Sequence, residues 1–311
     1  MPKKLPKEVK LVLEHTPHQI DYRREKNVSA SQILMYDECP HKWKLSKIDK
    51  LQIYTPSVHT VFGTAMHEVI QDWLHVMYNQ SAKAANEVDL RESLKLKMRE
   101  VYEKERKKTK EVFTTADELN SFFLDGVQIL DYLKKKRSQY FSMKNTFLAG
   151  IETDIVQEIR PNVYFKGYID LVFYNRLADT YTIIDIKTST RGWSDYEKKN
   201  DAKIAQILLY KEFFAKQFNV DVDQINVEYF ILRRKINEDL DFVPRRVQEW
   251  RPASGKVKRG KAVKLLNEFV DNAFKDGGYN LEGDFTPTPS KSACMFCPYK
   301  EEKSLCSHAI T

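Results

Sequence analysis

The apolar positions of this chain change period near residue 147. Upstream the spacing is helical. Ser29–Ala30–Ser31 offers a serine cap to a helix carrying Ile33, Leu34 and Tyr36, which ends near Cys39 and Pro40. Pro40 opens a further turn through Trp43 and Leu45. Met66, Ile70, Trp73, Leu74 and Met77 mark the buried side of an amphipathic helix over residues 63–78. Two long helical patterns follow, 89–108 and 115–140, with almost no Gly or Pro and a closing basic run at 134–137.

Downstream the pattern becomes that of strands. Residues 148–159, 163–174 and 181–187 read as three successive strands, and 203–218 as a helix. Residues 225–233 follow as another strand and 241–250 as one more. A basic loop at 256–261, a helix at 262–274 and a Pro-rich, Cys-containing tail complete the chain. A meander, then a helix and a further strand, predict an α/β core whose crossover makes the last pairing parallel. The expected organisation is an N-terminal arm (1–28), a helical region (29–146), a sheet core (147–280) and a C-terminal tail (281–311). The arm is charged and Pro-punctuated, and is expected to lie extended on the surface.

Composition narrows the partners more than the fold. With 311 residues, 42% hydrophobic and 12% aromatic, the chain can bury a large core. The formal charge of +7 favours a polyanionic partner. The first ten residues, MPKKLPKEVK, lack an apolar run and no stretch has the length of a membrane span, so a cytoplasmic protein is expected. Four cysteines are too few for a disulfide scaffold of this size, and their spacing points to metal.

The candidate chemistry sits in the hairpin at 164–190. Asp170 interrupts its first strand, and Asp185 and Lys187 end the second on one face, opposite Ile184 and Ile186. Carboxylate oxygens suit Mg²⁺ or Mn²⁺, which would polarise a phosphate and acidify a bound water; a lysine alongside would orient that water. An isolated D-x-K is more often a surface ion pair. Here Gly63–Glu68 reads GTAMHE, Gly167–Asp170 reads GYID, Asp185–Lys187 reads DIK and Gln206–Tyr210 reads QILLY, in that order.

Together these segments resemble the RecB-like branch of the PD-(D/E)xK nuclease superfamily, which implies a restriction-endonuclease-like core. By that resemblance His67, Asp170 and Asp185 bind metal with the Ile186 carbonyl, and Lys187 serves the attacking water. Gln206 and Tyr210 contact nucleic acid or orient the site, and Glu152 is an outer ligand. Cys294 and Cys297 form C-x2-C, Cys306 follows after eight intervening residues, and Cys39 lies far upstream. This layout resembles the iron–sulfur nucleases of the AddB type and CRISPR-associated RecB-like exonucleases, implying a [4Fe–4S] cluster. Zinc is the alternative, and His308 an alternative to Cys306.

The implied function is a metal-dependent DNA exonuclease acting on single strands or duplex ends. A non-catalytic DNA-binding subunit of a repair or recombination complex and an RNA-directed nuclease are the competing readings. No G-x-x-x-x-G-K-[ST] is present, so unwinding would come from a partner helicase or recombination protein. Lys256, Lys258, Arg259 and Lys261 are expected to meet phosphates, their glycine allowing close approach.

Overall fold

A computed structural model of the chain describes residues 5–51, 55–237 and 239–310. Residues 1–4 of the expected arm, 52–54 and 238 within the expected helical and core regions, and 311 of the tail lie outside the described residues.

The expected surface arm is only partly extended. Lys7–Leu13 form α1, whose Val9 and Val12, three residues apart, are buried beneath flanking charges. Lys26–Val28 form β1. Helices α2 (Ala30–Glu38) and α3 (Pro40–Lys47) follow as expected, Ser29 capping the first and Pro40 opening the second. Ser57 caps α4 (Val58–Asn79) by accepting from the Thr60 N–H, so this helix starts a turn and a half before its apolar stripe suggests. Short α5 (Ala82–Glu87) leads to α6 (Leu90–Thr109), and then to α7 (Ala116–Lys135) and α8 (Arg137–Tyr140). The basic run at the α7–α8 junction has internal work: Lys134 donates to the Val88 carbonyl and Arg137 to the Ala82 carbonyl.

The sheet contains β1, β2 (Thr146–Arg160), β3 (Val163–Asn175), β4 (Thr180–Ser189), β5 (Ile225–Arg233) and β6 (Val247–Trp250). Only the last four residues of the strand expected at 241–250 pair with β5. Between β4 and β5 lie α9 (Asp195–Lys199) and α10 (Asp201–Phe218), the crossover that makes β4 and β5 parallel. The remaining elements are α11 (Lys256–Ala273), the short pair β7 (Phe274–Lys275) and β8 (Gly278–Tyr279), and α12 (Lys291–Met295).

Alternation along the strands feeds two cores. Ile184, Ile186, Phe230 and Leu232 pack on one face with α4, α6 and α7. Ile183, Val227, Tyr229 and Ile231 pack on the other with α1, α2, α10 and α11. The result is a mixed α/β sheet sandwiched between helical layers, as expected from the sequence. No helix among the described residues is long and apolar enough to cross a membrane.

The 256–261 segment is not a loop. It is the first turn and a half of α11, which Gly255 begins, and Gly260 sits inside the helix facing open space. An interior glycine costs roughly 1 kcal/mol, which the buried Ala262, Leu266 and Phe269 of the same helix outweigh.

Candidate active site

The site begins where a hydrogen-bond ladder ends. β3 pairs with β4 from Asn175 and Thr180 to Leu171 and Ile184, stopping one residue short of Asp170 and Asp185. β2 runs along the opposite edge of β3, while β1 takes up the first edge again only at residues 163–165. Among the described residues no strand pairs with 166–170 on that edge, which leaves a notch between β1 and β4.

Two carboxylates stand at the notch, Asp185 at 1% exposure and Asp170 at 9%. Just past the ladder's end the Ile186 N–H donates to Asp170 Oδ2 at 2.6 Å, fixing that carboxylate from the neighbouring strand. Helix α4 brings His67 over them, its Nδ1 3.6 Å from Asp170 Oδ1. One turn earlier Gly63 faces β4, where an added Cβ would lie 3.3 Å from Thr188 Oγ1. One turn later Gln71 donates to Glu152 Oε1 at 2.5 Å and to the Asp170 carbonyl at 3.4 Å. Glu152, at a positive φ of 48°, is thereby tied to the helix that carries His67, although the residue itself remains exposed. Gln71 was not singled out from the sequence; its signal is the i+4 spacing from His67.

On the other face of β4, Lys187 Nζ lies 2.8 Å from Asp185 Oδ2 and donates to Gln206 Oε1 at 3.0 Å. Gln206 in turn donates to the Tyr210 hydroxyl at 3.2 Å, joining the two residues one turn apart on α10. Gly167 is required for this approach, because a Cβ there would stand 2.5 Å from the Tyr210 ring. The structure thus brings His67, Asp170, Asp185, Ile186, Lys187, Gln206, Tyr210 and Glu152 to one notch. An open cleft of about 730 Å³ covers its α10 side, lined by Lys187, Gln206 and Tyr210 and walled by Tyr22 and Asn27 of the N-terminal segment and by Trp193.

Electrostatics at the notch favour a cation. Burial pushes the Asp185 carboxyl up to about 6 against the pull of Lys187. Burial likewise pulls the Lys187 ammonium down, but the charge of Asp185 outweighs it and the net shift is upward, so Lys187 stays cationic at neutral pH. For His67, burial is overcome by the hydrogen bond and charge of Asp170, which raise its pKa. Glu152 is raised by burial and by the Asp170 charge, partly offset by the Gln71 hydrogen bond.

Asp185 Oδ2 is buried and, although Lys187 is close, makes no aligned hydrogen bond. An orphaned carboxylate oxygen beside a second carboxylate is a donor set that hard divalent cations satisfy. No group of three or more His, Cys, Asp or Glu side chains among the described residues is drawn together as a finished metal cage. The fit to Mg²⁺ or Mn²⁺ therefore lies in donor chemistry and in that unsatisfied oxygen.

The family model for the PD-(D/E)XK nuclease superfamily matches residues 27–302. The chain belongs to the PD-(D/E)XK nuclease superfamily. Nucleases of this superfamily generally use Mg²⁺ or Mn²⁺. Among solved structures the chain is similar to SSO0001, with 14% identity over 98% of this chain and 94% of that one and a TM-score of 0.39. It is also similar to a candidate exonuclease from Eubacterium rectale, with 12% identity over 82% and 85% of the two chains and a TM-score of 0.47. No curated protein matches it.

In this PD-(D/E)XK protein the four cysteines converge. Cys39, at the junction of α2 and α3, and Cys294, Cys297 and Cys306 of the tail all line one cavity of about 20 Å³. Burial raises the Cys297 thiol, and the neighbouring Cys39 and Cys294 push it the same way. Around them the tail is tied to the N-terminal helices. His41 Nε2 meets the Leu305 carbonyl at 2.9 Å, Thr288 donates to the Glu38 carbonyl at 3.0 Å, and Tyr299 donates to the Leu51 carbonyl at 2.6 Å. His308 is exposed and does not line the cavity. Four thiols are a soft donor set suited to iron–sulfur or zinc, while the cavity as it stands holds about one water-sized guest.

The basic residues of α11 are less free than their sequence suggests. Lys258 pairs with Asp201 at 3.1 Å and Arg259 with Glu212 at 3.1 Å, Arg259 being only 11% exposed; Lys256 and Lys261 are exposed.

Proposed function

We propose that this chain is a metal-dependent deoxyribonuclease, an exonuclease acting on single-stranded DNA or duplex ends. The observation that supports it best is the notch itself: two buried carboxylates with an unsatisfied oxygen, adjoining a cationic lysine that an α10 glutamine holds in place. Asp170, Asp185, His67 and the Ile186 carbonyl would hold Mg²⁺ or Mn²⁺. When bound, the ion supplies Lewis acidity toward a phosphate oxygen and lowers the pKa of water.

The chain's own residues do the rest. The Ile186 N–H and His67 hold Asp170 oriented. Lys187 remains protonated, so it donates to the attacking water or to the phosphate oxygens where negative charge grows, rather than removing a proton. Gln206 accepts a hydrogen bond from Lys187 and holds its Nζ in place, and Tyr210 steadies Gln206. Glu152, bonded to Gln71, stands behind Asp170 as an outer carboxylate.

We further propose that Cys39, Cys294, Cys297 and Cys306 hold a structural [4Fe–4S] cluster, the thiols spreading from the present small cavity to take it. Lys256, Lys258, Arg259 and Lys261 would contact phosphates outside the cleft. The deciding experiment incubates purified protein with 5′- and 3′-labelled single- and double-stranded DNA, and with RNA, in Mg²⁺, Mn²⁺ or EDTA. Cleavage of DNA in the two metals and none in EDTA is expected. DNA bound but intact under every condition favours the non-catalytic subunit and overturns the reading.

A further inference from the structure

A second polar cavity, of about 580 Å³, opens where β4 and β5 end; Arg191, Arg233, Lys235, Ile236, Asn237 and Pro244 line it. Register ties it to the catalytic residues. β4 and β5 are parallel, with Lys187 opposite Ile231 and Ser189 opposite Arg233, so Arg233 projects from the same sheet face as Asp185 and Lys187. Ser189 lies two residues beyond Lys187, roughly 7 Å along the strand. The turn at 189–193 contributes to both cavities: Trp193 walls the active-site cleft and Arg191 the basic one.

That turn is built, not loose. Ser189 Oγ both accepts from the Gly192 N–H and donates to its carbonyl, each at 3.1 Å. Gln248 accepts from the Trp193 N–H at 2.7 Å and donates to its carbonyl at 3.1 Å. Gly192 has φ +96° and lies so close that a Cβ would stand 2.7 Å from Arg233 Nε, so the turn clamps the arginine side chain against the sheet.

Among the described residues the clamped guanidinium has no carboxylate partner. Among the same residues its Nε is buried without a hydrogen-bond partner, and its guanidinium makes a single, long 3.4 Å contact, to the Arg245 carbonyl. Its neighbours do not supply the missing charge. Arg191 has no carboxylate partner among the described residues, and the nearby Asp125 is already shared by Arg234 and Lys235 at 2.8 and 2.7 Å. A half-buried, immobilised arginine with its charge uncompensated, beside a second free arginine, matches the planar donor fork that binds phosphate.

We infer that this cavity is a phosphate-binding subsite for the strand being cleaved, with Arg233 as the fixed donor, Arg191 as the mobile one and Lys235 at the rim. The inference rests on the nuclease reading and adds to it a contact that sets where the strand lies. The phosphate is either a terminal monoester or an internal diester.

The test is fluorescence anisotropy of a labelled single-stranded deoxyoligonucleotide in EDTA, so that nothing is cleaved. It compares the wild-type protein with Arg233→Gln, Arg191→Gln, the double variant and the control Lys264→Gln on the outer face of α11. Each arginine substitution should weaken binding about tenfold and lower the salt slope by about one, while the control moves less than twofold. A preference for 5′-phosphorylated over 5′-hydroxyl strands that vanishes in Arg233→Gln identifies a terminal monoester. Equal losses on both identify an internal diester. Unchanged affinity and slope in a double variant that melts like wild type overturns the subsite. If wild-type protein binds no oligonucleotide, the nuclease reading fails instead, and thermal unfolding with inorganic phosphate decides the cavity. A rise in Tm that Arg233→Gln abolishes keeps an anion site there, and no rise removes it.

Discussion

The carboxylate notch and the cysteine cavity are assembled in opposite ways. Asp170, Asp185 and Lys187 come from two strands of one hairpin, and their geometry follows from alternation and from the point at which one ladder stops. Cys39 and Cys306 are brought together only because the two ends of the chain meet, through side chains such as His41 and Tyr299 that bond remote carbonyls. The first constellation is stiff and electrostatically costly. The second is held by its neighbours and would repay a metal with stability. Changes in the notch should therefore cost chemistry and leave the fold, and changes in the cysteine cavity should do the reverse.

The largest effect expected is on cleavage. Asp185→Ala or Lys187→Ala should reduce the release of acid-soluble nucleotides by about 10³-fold or more, because each removes a group that the proposed mechanism sets against the reacting phosphate. The same proteins should unfold within a few degrees of wild type. Substantial cleavage by the double variant would remove the assignment.

Cys39→Ser should invert that result, lowering the melting temperature by roughly 5–10 °C across the whole transition, since it opens the link between the chain's ends. Protein purified without oxygen should be brown and contain iron. A colourless preparation with stoichiometric zinc would replace the cluster and spare the notch.

The pH dependence separates the two regions again. Asp185 is raised from 3.8 to about 6 in the metal-free fold, so between those values the folded state holds more protons than the unfolded one. Metal-free stability should fall as pH rises from about 4 to about 6 and then level, and Asp185→Asn should flatten this limb. Over the same window cleavage should rise about tenfold per pH unit, because the neutral acid is a poor ligand. A melting curve that instead gains stability through this range would contradict the burial of an unsatisfied Asp185.

A smaller effect is expected from Gly167→Ala. Its methyl would meet the Tyr210 ring, costing about 1–3 kcal/mol or displacing the ring from Gln206. Cleavage should drop about tenfold with binding to DNA nearly unchanged, measured as kcat against KM. The smallest effect belongs to α11: neutralising Lys256, Lys258, Arg259 and Lys261 together should lower the salt slope by about two or less, since Lys258 and Arg259 already face carboxylates. An unchanged slope makes that surface solvated charge only.

Much of the notch was legible because strand alternation and i, i+4 helical spacing are local rules. They placed Asp185 with Lys187 and Gln206 with Tyr210, and the crossover helix predicted the parallel β4–β5 pairing. What the sequence hid depends on tertiary partners. The Val9–Val12 pair of α1 is too short a pattern to outweigh its charged neighbours, and three-residue β1 has no signature apart from the β3 edge that receives it. Lys256–Lys261 read as a loop because charge and glycine mark turns as readily as exposed helical faces. Arg233 ends a strand inconspicuously; only the Gly192 turn folded over it makes its charge noteworthy.

The late partner of β1 has a consequence for how the protein comes into being. Lys26–Val28 leave the ribosome early, yet they pair with Val163–Phe165, made more than a hundred residues later. Asn27 and Tyr22 can wall the cleft only after that pairing, and Cys39 must wait longer still for the tail. A chain still being synthesised therefore carries its carboxylates in an unfinished cleft. Long-range closures of this kind are slow compared with local helix and hairpin formation. The order of synthesis acts as a timer that withholds the complete cleft until Tyr210 of α10 has been made.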